Sequence, residues 1–144
     1  DFIIGYPGET QDDYEKTIKL LKDVKFINSY SFIFSARPGT PAFNLKRIEE
    51  KVAKERLANF QNIAEKIKRD YRESLINATL PVLFENEMKS KNRYFGRDEY
   101  FNSVIVESAN NLEGKIKYVK IIKSNQNTMF GKVVENFNRT NHAA

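Results

Sequence analysis

At Thr79 the spacing of apolar residues changes from helical to strand-like, and this break constrains the fold more than any other feature of the chain. Before it, Ala53, Leu57, Phe60, Ala64, Ile67, Tyr71 and Leu75 step by three or four and form a single stripe. That spacing predicts a long amphipathic helix from about Ile48 to Leu75. Lys54, Glu55, Glu65, Lys66, Lys68, Arg69 and Arg72 fall on its solvated face. After the break come short β-like segments: Leu80, Val82 and Phe84 in alternation, then Phe101 to Glu107, Ile116 to Ile122, and Thr128 to Val134 with Gly131 inside it. A polar loop from Glu87 to Asn92 and the turn Asn110-Asn111-Leu112-Glu113-Gly114 separate them. Strands at this spacing with no helix between them predict a small closed barrel or a sandwich. A small OB-like barrel with basic and aromatic surface residues is a common nucleic-acid-binding device.

The N-terminal third reads differently. Asp1-Phe2-Ile3-Ile4-Gly5 is an apolar strand, and Tyr6-Pro7-Gly8-Glu9 is a turn. Thr10 and Asp13 have capping-box spacing, and Tyr14, Thr17, Ile18, Leu21 and Val24 continue as an amphipathic helix to about Lys25. Tyr30, Phe32 and Phe34 alternate with Ser31, Ile33 and Ser35 as a second strand, ended by Arg37-Pro38-Gly39-Thr40-Pro41. A strand, a helix and a strand make a parallel βαβ unit, whose ligands collect at the carboxyl ends of the strands. Those ends are Gly5 to Glu9 and Ser35 to Thr40. The chain opens on a strand without an initiator Met. The expectation is that an upstream portion of the same protein supplies its neighbours, and that alone the strand is an exposed apolar edge.

Charge favours a polyanionic partner. The net charge is +5, and from residue 78 onward ten basic residues face seven acids. Within that region Arg93, Arg97, Lys115, Lys117, Lys120 and Lys123 are candidates for phosphate contact, with plain solubility as the competing reading. Tyr94, Phe95, Tyr100 and Phe101 are candidates for base stacking, although Phe95 and Phe101 read as barrel core. The chain has no cysteine, so it carries no disulfide, thiolate metal site or iron–sulfur ligand of its own. Its one histidine, His142, sits in a polar tail and reads as solvated. No apolar run approaches the roughly 18 residues of a membrane span, and a cytoplasmic location is expected.

These residues carry a resemblance. Ile3-Ile4-Gly5-Tyr6-Pro7-Gly8-Glu9-Thr10 resembles the fifth barrel strand and loop of radical-SAM enzymes. Together with Tyr30-Ser31-Phe32-Ile33-Phe34-Ser35-Ala36-Arg37-Pro38-Gly39-Thr40-Pro41-Ala42 it resembles the methylthiotransferase family. Lys54-Glu55-Arg56-Leu57 fits that family too. So do Gly96-Arg97, Asn102-Ser103-Val104-Ile105-Val106 and Leu112-Glu113-Gly114-Lys115, which resemble its TRAM domain, an OB-like RNA-binding barrel. The Arg37-Pro38-Gly39-Thr40 loop favours the tRNA-modifying branches, and among them the MiaB type. Ala36 departs from the family, which usually has proline there.

The resemblance implies a fold of α/β plus all-β class. Residues 1–47 would be the C-terminal end of a radical-SAM (partial TIM-like) barrel, 48–77 a connecting helix, and 78–144 the TRAM domain. It implies a transferase that adds a methylthio group to C2 of N6-isopentenyladenosine beside the tRNA anticodon. That reaction uses S-adenosylmethionine and two [4Fe–4S] clusters. The cluster ligands are cysteines, so this chain should be inactive alone, with no catalytic and no metal-binding residue of its own. By the same resemblance Ile3, Ile4, Gly5 and Arg37 are cofactor-binding candidates and the anticodon stem-loop of tRNA is the partner. Ile3 and Ile4 read equally as barrel core, and Arg37 as a structural ion pair. Two alternatives remain open: a stand-alone RNA-binding TRAM module, and a remnant or incomplete sequence.

Overall fold

A computed structural model describes residues 1–135, so Arg139 and His142 lie outside the described residues. The chain divides into two compact units, Asp1–Tyr71 and the remainder from Arg72.

In the first unit, β1 (Phe2–Ile4) and β2 (Ser31–Ile33) pair in parallel with Ile3 opposite Phe32, and α1 (Gln11–Val24) crosses between them. The partner of β1 is thus supplied by later sequence, while its other edge has no ladder partner among the described residues. Thr10 caps α1 as its spacing predicts: its hydroxyl accepts from the Asp13 N–H, and the Asp13 carboxylate accepts from the Thr10 N–H. Lys25, left-handed at φ 56°, ends the helix. The helix α2 (Glu50–Ser74) lays its stripe on this unit; Phe60 is fully buried with Ile4, Tyr14, Ile18 and Leu21, and Leu57, Ala64 and Ile67 pack against them. One residue of the expected solvated face is misplaced. Arg72 is buried, because its guanidinium donates to the carbonyl of Gln126.

The second unit is a closed barrel of β3 (Thr79–Glu87), β4 (Arg93–Asp98), β5 (Ser103–Glu107), β6 (Ile116–Ser124) and β7 (Met129–Val133), in the order β3-β4-β5-β7-β6. Antiparallel pairing of β6 with β3 closes it, and β5 with β7 is its parallel pair. Val82, Phe84, Tyr94, Val104, Val106, Leu112, Val119, Ile121 and Met129 fill the interior. Register shifts at Phe84/Asn86 and Ile121/Lys123 bend the strands enough for so small a barrel to close. Two inward positions tolerate no side chain. A Cβ on Gly96 would lie 2.5 Å from the carbonyl oxygen of Leu83, and one on Gly131 2.5 Å from that of Lys120.

The structure differs from the sequence reading at three points. β4 is a strand that alternation did not reveal, since Tyr94, Gly96 and Asp98 point inward while Arg93, Phe95 and Arg97 point outward. Phe101 is not core: it is 73% exposed at the β4–β5 turn with φ 62°, and β5 begins only at Ser103. Phe95 is half-buried on the outer surface, whereas Tyr94 is the core aromatic of that strand.

Candidate nucleic-acid interface

Strand register assembles the outer surface of the barrel. Phe95 on β4 lies opposite Ile105 on β5, Ile105 opposite Phe130 on β7, and Phe130 opposite Lys123 on β6. Alternation puts Phe95, Ile105 and Phe130 outward, because their neighbours Tyr94, Val104, Val106 and Met129 are buried, and Lys123 is exposed beyond the register shift of β6. Flanking positions add charge. Arg93 lies opposite Glu107 with Nε 3.7 Å from its carboxylate, and Lys120 lies opposite Lys132. Between β5 and β7 the surface dips into a cleft of about 520 Å³, lined among others by Arg93, Ile105, Glu107, Lys123, Phe130 and Lys132.

The six basic candidates separate on this surface. Arg93 and Lys123 meet in the cleft. Arg97 stands over the Phe95 ring at 5.2 Å while its Nε lies 3.1 Å from Glu85, so part of its charge is already matched. Lys120 is exposed on the outer surface of β6. Lys115 donates to the Asn111 carbonyl at 2.8 Å and closes the β5–β6 turn. Lys117 is exposed opposite Val82, away from the Phe130 row. Lys132 and Phe130 are residues of the cleft that sequence reasoning passed over as site members; a Phe-Gly-Lys run in a strand already singled out was the available signal.

Beside the barrel surface, the turn from β4 to β5 is held rigidly. The buried Asp98 carboxylate accepts from the Tyr100 N–H (2.9 Å), the Asn102 N–H (2.8 Å) and the Asn102 side-chain amide (2.9 Å). Tyr100 and Phe101 are left outside, 57% and 73% exposed.

The first unit offers a second concavity, of about 680 Å³, on the exposed side of the β1–β2 sheet. Ile3, Tyr6, Phe32, Phe34 and Thr40 line it, with Arg37 among them. Of the four cofactor candidates, Ile3 and Arg37 therefore share a surface. Ile4 points the other way into the core, and Gly5 backs onto α2, where an added Cβ would lie 3.0 Å from that of Ala53. Arg37 is exposed. The loop after β1 is fixed by a pair that sequence reasoning did not find. The Glu9 carboxylate accepts from the Gly5 N–H (2.9 Å) and from Arg56 Nη1 (2.6 Å), and Arg56 also donates to the Glu9 carbonyl. Both side chains are only 10% exposed, and the Arg56 guanidinium lies 5.3 Å from the Tyr14 ring.

Among the described residues no group of three His, Asp or Glu side chains stands ready to hold a metal ion, and no helix is long and apolar enough to cross a membrane.

Comparison with known proteins agrees with this division. Residues 73–134 match the model of the TRAM domain. A tRNA-2-methylthio-N(6)-dimethylallyladenosine synthase of Pelagibacter ubique (strain HTCC1062) is 50% identical over 137 residues, covering 94% of this chain and 30% of that protein. Proteins of the same name from Wolbachia sp. subsp. Brugia malayi (strain TRS) and Wolbachia pipientis subsp. Culex pipiens (strain wPip) are 38% and 40% identical, over 94% and 91% of the chain. The second unit is thus a TRAM domain, and the chain is a relative of the tRNA-2-methylthio-N(6)-dimethylallyladenosine synthases, of whose length it spans about 30%.

Proposed function

We propose that this chain is the RNA-holding part of a tRNA methylthiotransferase that modifies C2 of N6-isopentenyladenosine beside the anticodon, gripping the anticodon stem-loop with its TRAM barrel. The observation that carries this reading is the coincidence of a TRAM match over residues 73–134 with a barrel surface on which Arg93, Lys120, Lys123 and Lys132 cluster. Phosphate neutralisation by such side chains gives affinity without sequence choice. Arg97, Lys115 and Lys117 belong to the same proposal as more peripheral contacts.

In this reading residues 1–47 are the closing part of a radical-SAM barrel, 48–77 a connecting helix and 78–144 the RNA-binding domain, acting in the cytoplasm with an N-terminal portion of the same protein. The concavity of the first unit suits one wall of a site for S-adenosylmethionine. Its apolar floor of Ile3, Phe32 and Phe34 would pack against a flat or aliphatic group, and Arg37 would meet a carboxylate or phosphate. Gly5 would act from behind, through the Glu9–Arg56 pair that fixes the loop, and Ile4 through the core beneath β1. The two [4Fe–4S] clusters do not fit this chain, which has no thiolate to hold them. No chemical step is therefore assigned to its residues.

The test is a binding titration of the 144-residue chain against an anticodon stem-loop RNA. Affinity should fall at least tenfold between about 50 and 200 mM salt, as expected when several phosphates are neutralised. Affinity unchanged over that range would defeat the reading. Because the barrel has a core of its own, a stand-alone RNA-binding module is the second reading. It predicts the same titration, but no gain in methylthiolation when the chain is joined to a cysteine-bearing partner portion.

A further inference from the structure

The cationic surface just described has a feature that phosphate contact does not need. Phe95, Ile105 and Phe130 occupy neighbouring register positions on three adjacent strands, so their side chains form one outward apolar row crossing the sheet. Strands lie about 4.8 Å apart, which puts Phe95 and Phe130 roughly 10 Å from one another along it. A cation stands over each ring: Arg97 at 5.2 Å from the Phe95 centroid, and Lys123 at 5.2 Å from that of Phe130.

We propose that this row is a stacking platform for unpaired RNA bases, so that the barrel selects single-stranded nucleotides over duplex. The proposal rests on the RNA reading above and names the form of RNA it takes. In a helix the base faces are already stacked on each other, and a ring on a protein surface can reach only the backbone. A looped-out base exposes its face and can lie on an aromatic ring. The cleft beside Phe130 has room for such a base, with Ile105 and Phe130 as its apolar lining.

Charged side chains border the row. Lys120, Lys123 and Lys132 stand on the β6–β7 side, where a backbone would run. Glu107 and Glu135 also line the cleft; a carboxylate there repels phosphate and accepts hydrogen bonds from the amino edge of a base. Glu107 faces Arg93, which limits its repulsion. When a base settles on Phe130, the Lys123 ammonium moves off the ring and toward the phosphate, so the cation–π contact holds the lysine ready in the unbound protein.

The experiment uses the 144-residue chain, a fluorescent single-stranded RNA of ten nucleotides and a blunt duplex that pairs the same ten, titrated at about 100 mM salt. The single strand should bind at least fivefold more tightly. Phe130→Leu should weaken single-strand binding about tenfold, the usual loss per stacked base, and change duplex binding less than twofold. Phe95→Leu is the second variant, with melting curves showing that each protein is folded. Lys123→Met should reduce the dependence on salt for both RNAs by about one phosphate contact. Equal binding of the two RNAs, or a Phe130→Leu loss shared equally between them, overturns the platform and leaves the RNA reading standing. No binding of either RNA at about 50 mM salt overturns both.

Discussion

The two units solve the edge problem of a β-sheet in opposite ways. In the barrel every strand has two neighbours, and β6 against β3 removes the last free edge. In the first unit two three-residue strands share a single ladder, and Ile3 and Phe32 on their open side are 52% and 53% exposed. The barrel keeps its nonpolar groups on the inside by closure. The first unit keeps only one side of its sheet dry, under α1 and α2, and holds its exposed end in place with polar bonds. The barrel is ordered by packing throughout, whereas the first unit adds a buried ion pair at a loop to the packing under its helices.

The largest effect should come from attacking that packing. Phe84 is fully buried in the barrel, and Phe84→Ala should lower the unfolding free energy of that unit by about 3–5 kcal/mol. Hydrogen exchange would show β4 and β6 amides losing protection while α1 amides keep theirs. Loss of protection in α1 as well would erase the contrast between the units. A smaller loss, about 3 kcal/mol, is expected for Arg56→Met, which leaves the Glu9 carboxylate buried without its partner. The Gly5 and Glu9 amides should then exchange faster, with the barrel unchanged. If Arg56→Met were neutral, the ion pair would add nothing to the packing of the first unit.

The smallest effect is a pH response. Hydrogen bonds from Thr10 hold the Asp13 carboxyl below its ordinary range, with Lys16 adding to it. A lowered carboxylate stabilises the fold above its ordinary pKa and loses that contribution as pH falls through the lowered value. Protection factors at the α1 N-terminus, which are free of the intrinsic slowing of exchange in acid, should therefore fall on acidification below about pH 4, ahead of the rest of the helix. In the barrel the sign reverses. Burial, with Glu87 and Glu113 nearby, raises the Tyr94 phenol, so its contribution persists up to about pH 10 and fades above it.

What was legible in sequence follows the range of the interactions. The capping box of Thr10 and Asp13 spans three residues and the stripe from Ala53 to Leu75 repeats locally, so both could be read directly. β4 hid because the ordinary sorting fails in it: a glycine and a hydrogen-bonded aspartate point inward while a phenylalanine points out. Phe101 looks like a core residue until the left-handed turn imposed by Asp98 is known. Glu9 meets Arg56 across 47 residues, and Arg72 meets Gln126 across 54. No local pattern announces either pair. The candidate interface was half visible: Arg93 and Lys123 were read, but the row from Phe95 to Phe130 exists only through strand register.

Closure of the barrel also has a cost in time. Thr79 pairs with Lys120 and Leu83 with Ile116, so β3 cannot complete its ladder until the chain has been made well past residue 116. At ribosomal speeds of about 5–20 residues per second, β3 waits for several seconds with hydrogen-bonding groups unclaimed. Pro81 sits in that waiting strand, opposite the future position of Tyr118. It offers no N–H to a stray neighbour, which makes the nascent strand a poorer template for wrong partners until the right one arrives.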